Sequence, residues 1–324
     1  MRPNEIWEGK GWKTRLVKAA LTPLGWLYAC GWQSYLAIYA LGIKKASEAH
    51  QPVICVGNLV TGGSGKSPLT LYLAKLLLEI GKPVVIGCSG YGAPHAEAAT
   101  MAPNGALDAA EWGDEPAMFR WLFPEVPLVV GRRRVLAAEL VHRTYPDSVL
   151  LMDDGFQHLP IKKHLTILLD DPDPVNTMCL PAGPYREPRK NRRRADAVLP
   201  GIFQVVADSM RLVTPSGSED SPGDYSVLCA LGQPARFLDA LKRAFPNRQN
   251  SGSYLILPDH DPLTGGTLLA SFRKDLPIVV TAKDWVKLRN RADIDNWKFL
   301  VATQRVRVEP EAEFREWLKE RLDE

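Results

Sequence analysis

The chain has 324 residues, 45% of them hydrophobic and 24% charged, with a formal net charge of +3. That is the size and composition of a globular protein with room for two ordinary domains. Five cysteines, an odd number without paired spacing, argue against a disulfide framework or a zinc ribbon; Cys30, Cys55, Cys88, Cys179 and Cys229 are expected as small core residues in a reducing compartment. Glu5 and Glu8, with no compact apolar core leading to a small-residue cleavage site, argue against a cleavable signal peptide.

Residues 1–45 stand apart. Trp7, Trp12, Trp26 and Trp32 lie here with Tyr28, Tyr35 and Tyr39, and Lys10, Lys13, Arg15 and Lys18 make the first part basic. No charge occurs between residues 19 and 43. Aromatic rings with a polar edge beside Lys and Arg suit the boundary between lipid and water. The uncharged run is long enough to span a bilayer, but Pro23, Gly25, Gly31, Gln33 and Ser34 interrupt it. A helix pair lying on a membrane surface is therefore expected, with a span or a helix packed on the core as the alternatives.

From about residue 50 the pattern changes to short apolar runs, at 53–56, 84–86, 128–130, 149–152, 166–169 and 197–199, alternating with helical stretches at 69–80, 115–122 and 134–143. Near-continuous apolar strands alternating with helices predict a mainly parallel sheet covered on both faces. The first run leads into Thr61-Gly62-Gly63-Ser64-Gly65-Lys66-Ser67-Pro68 and then an apolar helix. Glycines there let backbone N–H groups close around phosphate oxygens, and the helix N-terminus adds a partial positive charge. Lys66 suits the outer phosphates and Ser67 a Mg²⁺ ion. The run is a variant of the phosphate loop, since Val60 stands where the full pattern has Gly.

Gly113-Asp114-Glu115-Pro116 follows a loop. Asp114 is either a helix N-cap with Pro116 in the first turn, or a carboxylate that takes a proton from an attacking hydroxyl. The run at 149–152 ends in Asp153-Asp154-Gly155-Phe156-Gln157-His158. An acid beyond a parallel strand, across from a phosphate loop, can hold Mg²⁺ directly or through water. The strongest charge cluster is Arg186-Glu187-Pro188-Arg189-Lys190-Asn191-Arg192-Arg193-Arg194, with a second patch at Arg132-Arg133-Arg134. Either is a solvated loop or a contact for phosphates or anionic head groups. No nucleic-acid-binding motif accompanies them, so nucleic acid is not an expected partner.

Residues 214–224 have loop chemistry and are expected near a domain junction. Beyond them, apolar runs at 227–231, 254–257, 278–281 and 299–302, with helices at 236–245 and 267–272, predict a smaller α/β unit. Asp259-His260-Asp261-Pro262 follows one of those runs, and an imidazole between two acids is held protonated or oriented. From the residues alone, a membrane-tethered nucleotide-driven switch remains an alternative to a kinase, although no Asn-Lys-x-Asp guanine-reading motif is evident.

Taken in order, the glycine loop, Gly90-Tyr91-Gly92, Gly113 through Pro116, Val130-Gly131-Arg132, Asp153 through His158, Leu180 through Pro188, Pro258-Asp259-His260 and Thr281 through Leu288 resemble the tetraacyldisaccharide 4'-kinase family of lipid A biosynthesis. The resemblance implies a phosphate-loop-type α/β/α main domain (residues 46–213), a smaller α/β domain closing over the cleft (214–324) and a membrane-associating N-terminal segment (1–45). It implies transfer of the ATP γ-phosphate to the 4'-hydroxyl of a lipid-linked glucosamine disaccharide at the cytoplasmic face of a bacterial inner membrane, with no obligate protein partner. Thr61, Gly62, Gly63, Ser64, Gly65, Lys66 and Ser67 would bind the nucleotide, and Ser67, Asp153, Asp154 and Glu187 would lie around Mg²⁺. Asp114 would act as base paired with His260, with Lys66 and Asp154 also catalytic. The chain departs from the family pattern at Ser67, where Thr is usual, at Ser89 for Arg, at Ala282 for Glu and at Leu263 for an aromatic residue.

Overall fold

The structure, a computed structural model, describes residues 3–63, 65–221, 223–246 and 252–323. A short helix α1 (Pro3–Glu8) leads into α2 (Trp12–Ala40), 29 residues long with Pro23 inside it. Then β1 (Val53–Asn58), α3 (Lys66–Glu79), β2 (Val84–Cys88), β3 (Thr100–Met101), α4 (Ala109–Trp112), α5 (Asp114–Leu122), β4 (Leu128–Val130), α6 (Arg134–Thr144), β5 (Val149–Asp153), β6 (Leu165–Leu169) and β7 (Ala197–Leu199) build the main unit. Its seven-stranded sheet runs β3-β4-β2-β5-β1-β6-β7 and is parallel except for β3. Strands β1, β2, β4 and β5 are buried throughout, as apolar runs covered on both faces must be. Ile54, Val56, Ile86 and Leu151 face the side of Leu69, Leu73 and Leu77 from α3. Val53, Val85, Leu150 and Met152 face Ala137, Ala138 and Val141 from α6.

The second unit holds β8 (Gln204–Val213), β9 (Glu219–Asp220), β10 (Ser226–Ala230), α7 (Pro234–Ala244), β11 (Tyr254–Leu257), β12 (Ile278–Thr281), α8 (Ala282–Leu288), β13 (Phe299–Glu309) and α9 (Glu311–Asp323). Its six-stranded sheet runs β11-β10-β12-β13-β8-β9. Here the expected boundary needs correction. Strand β8 pairs antiparallel with β13, so the crossing into the second sheet precedes Gln204. Residues 214–218 turn the β8–β9 hairpin instead of joining two domains.

Helix α9 returns to the main unit. Phe314 packs on Tyr72 of α3 and on Phe203, while Arg315–Glu79 and Lys82–Asp323 pair at 2.6 and 3.0 Å. The expected helix at 267–272 is a succession of single turns, closed by Leu268 N–H to Gly265 O and Ala270 N–H to Thr267 O. Six residues after a Gly-Gly pair gain too few internal hydrogen bonds to sustain a helix. Cys30 is exposed on α2, against the expectation for a core cysteine; the other four are buried.

Helix α2 lies along the body. A Cβ on Gly25 would stand 3.0 Å from the Cys179 carbonyl and 3.2 Å from Ala182 Cβ, so its glycine allows the close approach. Gln33 donates to Asn191 and Trp7 Nε1 to the Pro181 carbonyl. Trp12, Leu16, Leu24, Trp26 and Leu27 remain exposed. Among the described residues, no helix is long and apolar enough to cross a membrane, which removes the spanning alternative for α2.

Candidate functional site

Strands β1 and β5 are hydrogen-bonded neighbours with Val56 opposite Asp153, so whatever follows them emerges side by side. After β1 the loop passes through Gly62 and Gly65, both at positive φ, and α3 begins at Lys66. A Cβ on Gly63 or Gly65 would meet nothing within 4 Å, so the loop borders open space where a phosphate chain can sit. Thr61 N–H donates to Pro184 O and Arg186 N–H to Leu59 O, which ties the loop to the segment before the basic run. Ser67 stands half-buried in the first turn of α3; Ser64 lies outside the described residues.

After β5, Asp153 is buried and Asp154 takes a left-handed φ of 53°. That conformation is strained for a residue with a side chain, and such strain concentrates at working sites. Lys66 Nζ lies 3.7 Å from Asp154 Oδ2, and Arg186 grips Asp154 in a fork, at 2.8 Å to Oδ1 and 3.1 Å to Oδ2. Burial alone would raise the Asp154 pKa, but Lys66 and Arg186 hold it below the ordinary value. Asp153 is the reverse case: burial, with Glu115 nearby, pushes it up to about 7. Its Oδ1 accepts from Thr70, Arg134 binds its backbone carbonyl, and its buried Oδ2 has no partner among the described residues. A buried carboxylate oxygen left unpaired beside a phosphate cradle is what a hard divalent cation would satisfy, so the donor set of Ser67, Asp153 and Asp154 fits magnesium.

Glu187, expected around the metal, is held by three side chains. Its Oε1 accepts from Gln157, and its Oε2 accepts from Asn191 and, at 2.5 Å, from Arg194. The fully buried carboxylate pairs with Arg194 and organises the basic segment.

The second half of the site comes from the other unit. Gly113, at φ 93°, occupies the N-cap of α5, so Asp114 is the first helical residue and makes no cap bond. Asp114 Oδ2 lies 3.0 Å from Nδ1 of His260, which follows β11 and has a φ of 59°. Lys283 stands 3.8 Å from the same oxygen and 3.1 Å from Glu115 Oε1. Burial works against the charge on Asp114, yet the His260 hydrogen bond and Lys283 bring its pKa down to about 2. The same hydrogen bond raises His260 above its ordinary pKa, opposed by burial and by Lys283. Motif reading assigned no role to Lys283, although it sits in the Thr281–Leu288 segment; Arg186 and Thr70 were missed as carboxylate partners and Arg134 as the donor to the Asp153 carbonyl, and only the basic runs signalled the two arginines.

The site can therefore hold a metal-loaded triphosphate against Lys66 and present an ionised carboxylate to an acceptor. The family model for tetraacyldisaccharide-1-P 4'-kinase matches residues 17–323. The tetraacyldisaccharide 4'-kinase of Shewanella baltica strain OS185 is 32% identical, covering 94% of this chain and 91% of that protein. The one from Shewanella pealeana is 33% identical over 90% and 91%. Among solved structures, LpxK from Aquifex aeolicus in complex with ATP aligns with a TM-score of 0.80 at 26% identity, covering 94% of this chain and 99% of that one. On the family match and these relatives, the chain belongs to the tetraacyldisaccharide-1-P 4'-kinase family.

Proposed function

We infer that the protein is an ATP-dependent lipid kinase, transferring the γ-phosphoryl group to the 4'-hydroxyl of a tetraacylated glucosamine disaccharide 1-phosphate in lipid A biosynthesis. The observation that carries this reading is the convergence of the glycine loop and the β5 acids, with Lys66 Nζ 3.7 Å from Asp154. Thr61 through Ser67 cradle the triphosphate. Ser67, Asp153 and Asp154 would hold Mg²⁺, which when bound neutralises charge on the phosphates. Lys66 adds a fixed charge where the leaving group develops its own.

Asp114 is the proton acceptor. His260 and Lys283 both occupy the Oδ2 side, which leaves Oδ1 to take a hydrogen bond from the sugar hydroxyl. A carboxyl near pKa 2 is a weak base, and a loose phosphoryl-transfer transition state asks little of a base until late. Because His260 comes from the second unit, the base is complete only when the units are together, which limits attack by water.

The membrane surface enters through α2, whose body-facing side is pinned at Gly25 and whose other side exposes Trp12, Leu16, Trp26 and Leu27. The adjoining 3₁₀ turn Arg189–Arg194 repeats every three residues. Arg189 and Arg192 pair with Asp170; Asn191 and Arg194 bind Glu187. Lys190 and Arg193 share the third face, exposed and suited to anionic head groups at the inner surface of the bacterial inner membrane.

Incubation with γ-labelled ATP and the lipid disaccharide should place label in the lipid, and Asp114→Asn should keep nucleotide binding while losing most of the transfer. Free phosphate without labelled lipid would favour a nucleotide-driven switch instead.

A further inference from the structure

The segment Thr281-Ala282-Lys283-Asp284 has a local geometry the nucleotide and metal sites do not explain. Thr281 caps α8: its Oγ1 accepts from Asp284 N–H at 3.1 Å and donates to Asp284 Oδ2 at 2.7 Å. Asp284 is fully buried, accepts from Ala230 N–H and pairs with Lys287 at 3.2 Å. The start of α8 is thus fixed to β10 from below, and Lys283, four-fifths covered, extends to the first turn of α5. One turn on, Lys287 donates to the carbonyl of Asp261, in the loop that carries His260. Helix α8 therefore grips both halves of the Asp114–His260 pair, one lysine on each.

We propose that Lys283 is a positioning residue for the transfer reaction, holding Asp114 aimed and ionised through its contacts with Asp114 and Glu115 across the cleft. The inference rests on Asp114 being the base. Two adjacent carboxylates in one helical turn repel each other, and without an ammonium between them only the His260 hydrogen bond is left to hold Asp114 against that repulsion. Nothing in the loop of His260 replaces that charge: Asp259 and Asp261 are acidic, and Lys287 is committed to Asp284 and the Asp261 carbonyl. The ammonium also lies close enough to disfavour the imidazolium of His260.

The experiment compares Lys283→Met, Lys283→Arg, Asp114→Asn and the double variant Asp114→Asn/Lys283→Met in the full chain. Lys283→Met should lower kcat about a hundredfold while the KM for ATP stays within about twofold, because the loss falls on the transition state. Lys283→Arg should recover most of it. In NMR titration, His260 of Lys283→Met should hold its proton to higher pH than in the wild type, since a repelling charge is gone while Asp114, Glu115 and Asp259 remain. The double variant should be no slower than Asp114→Asn, as groups acting through one another are not additive.

Wild-type kcat in Lys283→Met, with Asp114→Asn inactive, overturns the role of Lys283 alone. Full turnover in Asp114→Asn overturns the reading beneath it. If Lys283→Met does not fold, Lys283→Gln decides: a loss of kcat with the KM for ATP held supports the proposal, and wild-type kcat overturns it.

Discussion

Nδ1 of His260 lies 3.0 Å from Oδ2 of Asp114, although 146 residues separate them and each belongs to a different unit. The contact links the two units, and its two partners move in opposite directions: Asp114 down to about 2, His260 upward. On the proposed role of Asp114 it would join catalysis to closure, and it makes the contact between the units depend on pH.

The sign follows from linkage. Asp114, depressed on folding, contributes stability that is present above its unfolded pKa and is lost as pH falls towards about 2. His260, raised on folding, contributes stability that is complete below about 6.5, its unfolded value, and is lost as pH rises through its folded pKa. Replacing His260 by Gln should therefore lower the thermal midpoint most near pH 5–6, roughly between the two unfolded pKa values, and least at alkaline pH. Calorimetry across that range checks it; a difference independent of pH would show that the pair is a neutral hydrogen bond throughout.

Asp153 and Asp154 should fail differently. Asp153→Asn keeps the Thr70 contact but removes the charge whose Oδ2 stands unpaired. It should abolish the magnesium-dependent gain in nucleotide affinity while leaving metal-free binding unchanged, with kcat down by about 10² or more. Asp154→Asn leaves Lys66 and Arg186 without their shared anion, so metal-free nucleotide should bind more tightly as two freed cations meet the phosphates. Titration of a fluorescent ATP analogue with and without Mg²⁺ separates the two.

The sheet was legible because parallel strands covered on both faces are near-continuous apolar runs, and β1, β2, β4, β5, β6 and β7 all read that way. Strand β8 was not. It mixes Gln204, Asp208 and Arg211 with its apolar residues, as an antiparallel strand facing water on one side does, and the register shift between Gln304 and Val306 breaks any simple alternation. At the site, Lys66 and the β5 acids sit in local motifs whose chemistry can be read from spacing. The Asp114–His260 pair depends on how two units dock, which spacing does not encode, and it entered through the family resemblance. Glu187 entered by the same route, while its partners Asn191 and Arg194 are set by the 3₁₀ turn behind it, which spacing alone did not show.

Gly25 is the tightest point between α2 and the body. Gly25→Leu places a side chain where a Cβ alone would already sit 3.0 Å from a backbone oxygen. Helix α2 must lift, at a cost of about 1–3 kcal/mol, the usual range for overpacking. Limited proteolysis should then cut within residues 12–40 well before the rest of the chain. Equal protease resistance in both proteins would mean that α2 is held by Trp7 and Gln33 alone.

On lipid vesicles the two parts of the proposed membrane-facing surface should separate by their salt dependence. Trp26 and Leu27 are exposed, and removing them (Trp26→Ser with Leu27→Ser) should weaken binding to neutral and anionic vesicles alike, because apolar insertion is insensitive to ionic strength. Lys190 and Arg193 share one face of their turn. Their replacement by Gln should leave neutral vesicles unaffected and weaken binding to vesicles rich in phosphatidylglycerol by about 2 kcal/mol, from ~1 kcal/mol per cation near an anionic surface. That difference should fade in high salt as the Debye length falls to about 3 Å at 1 M. Arg189→Gln serves as the internal control, since its guanidinium is already committed to Asp170 at 2.8 Å. If it weakens anionic-vesicle binding as much as the 190/193 pair does, the turn does not present a dedicated outward face, and the lipid contact rests on α2 alone.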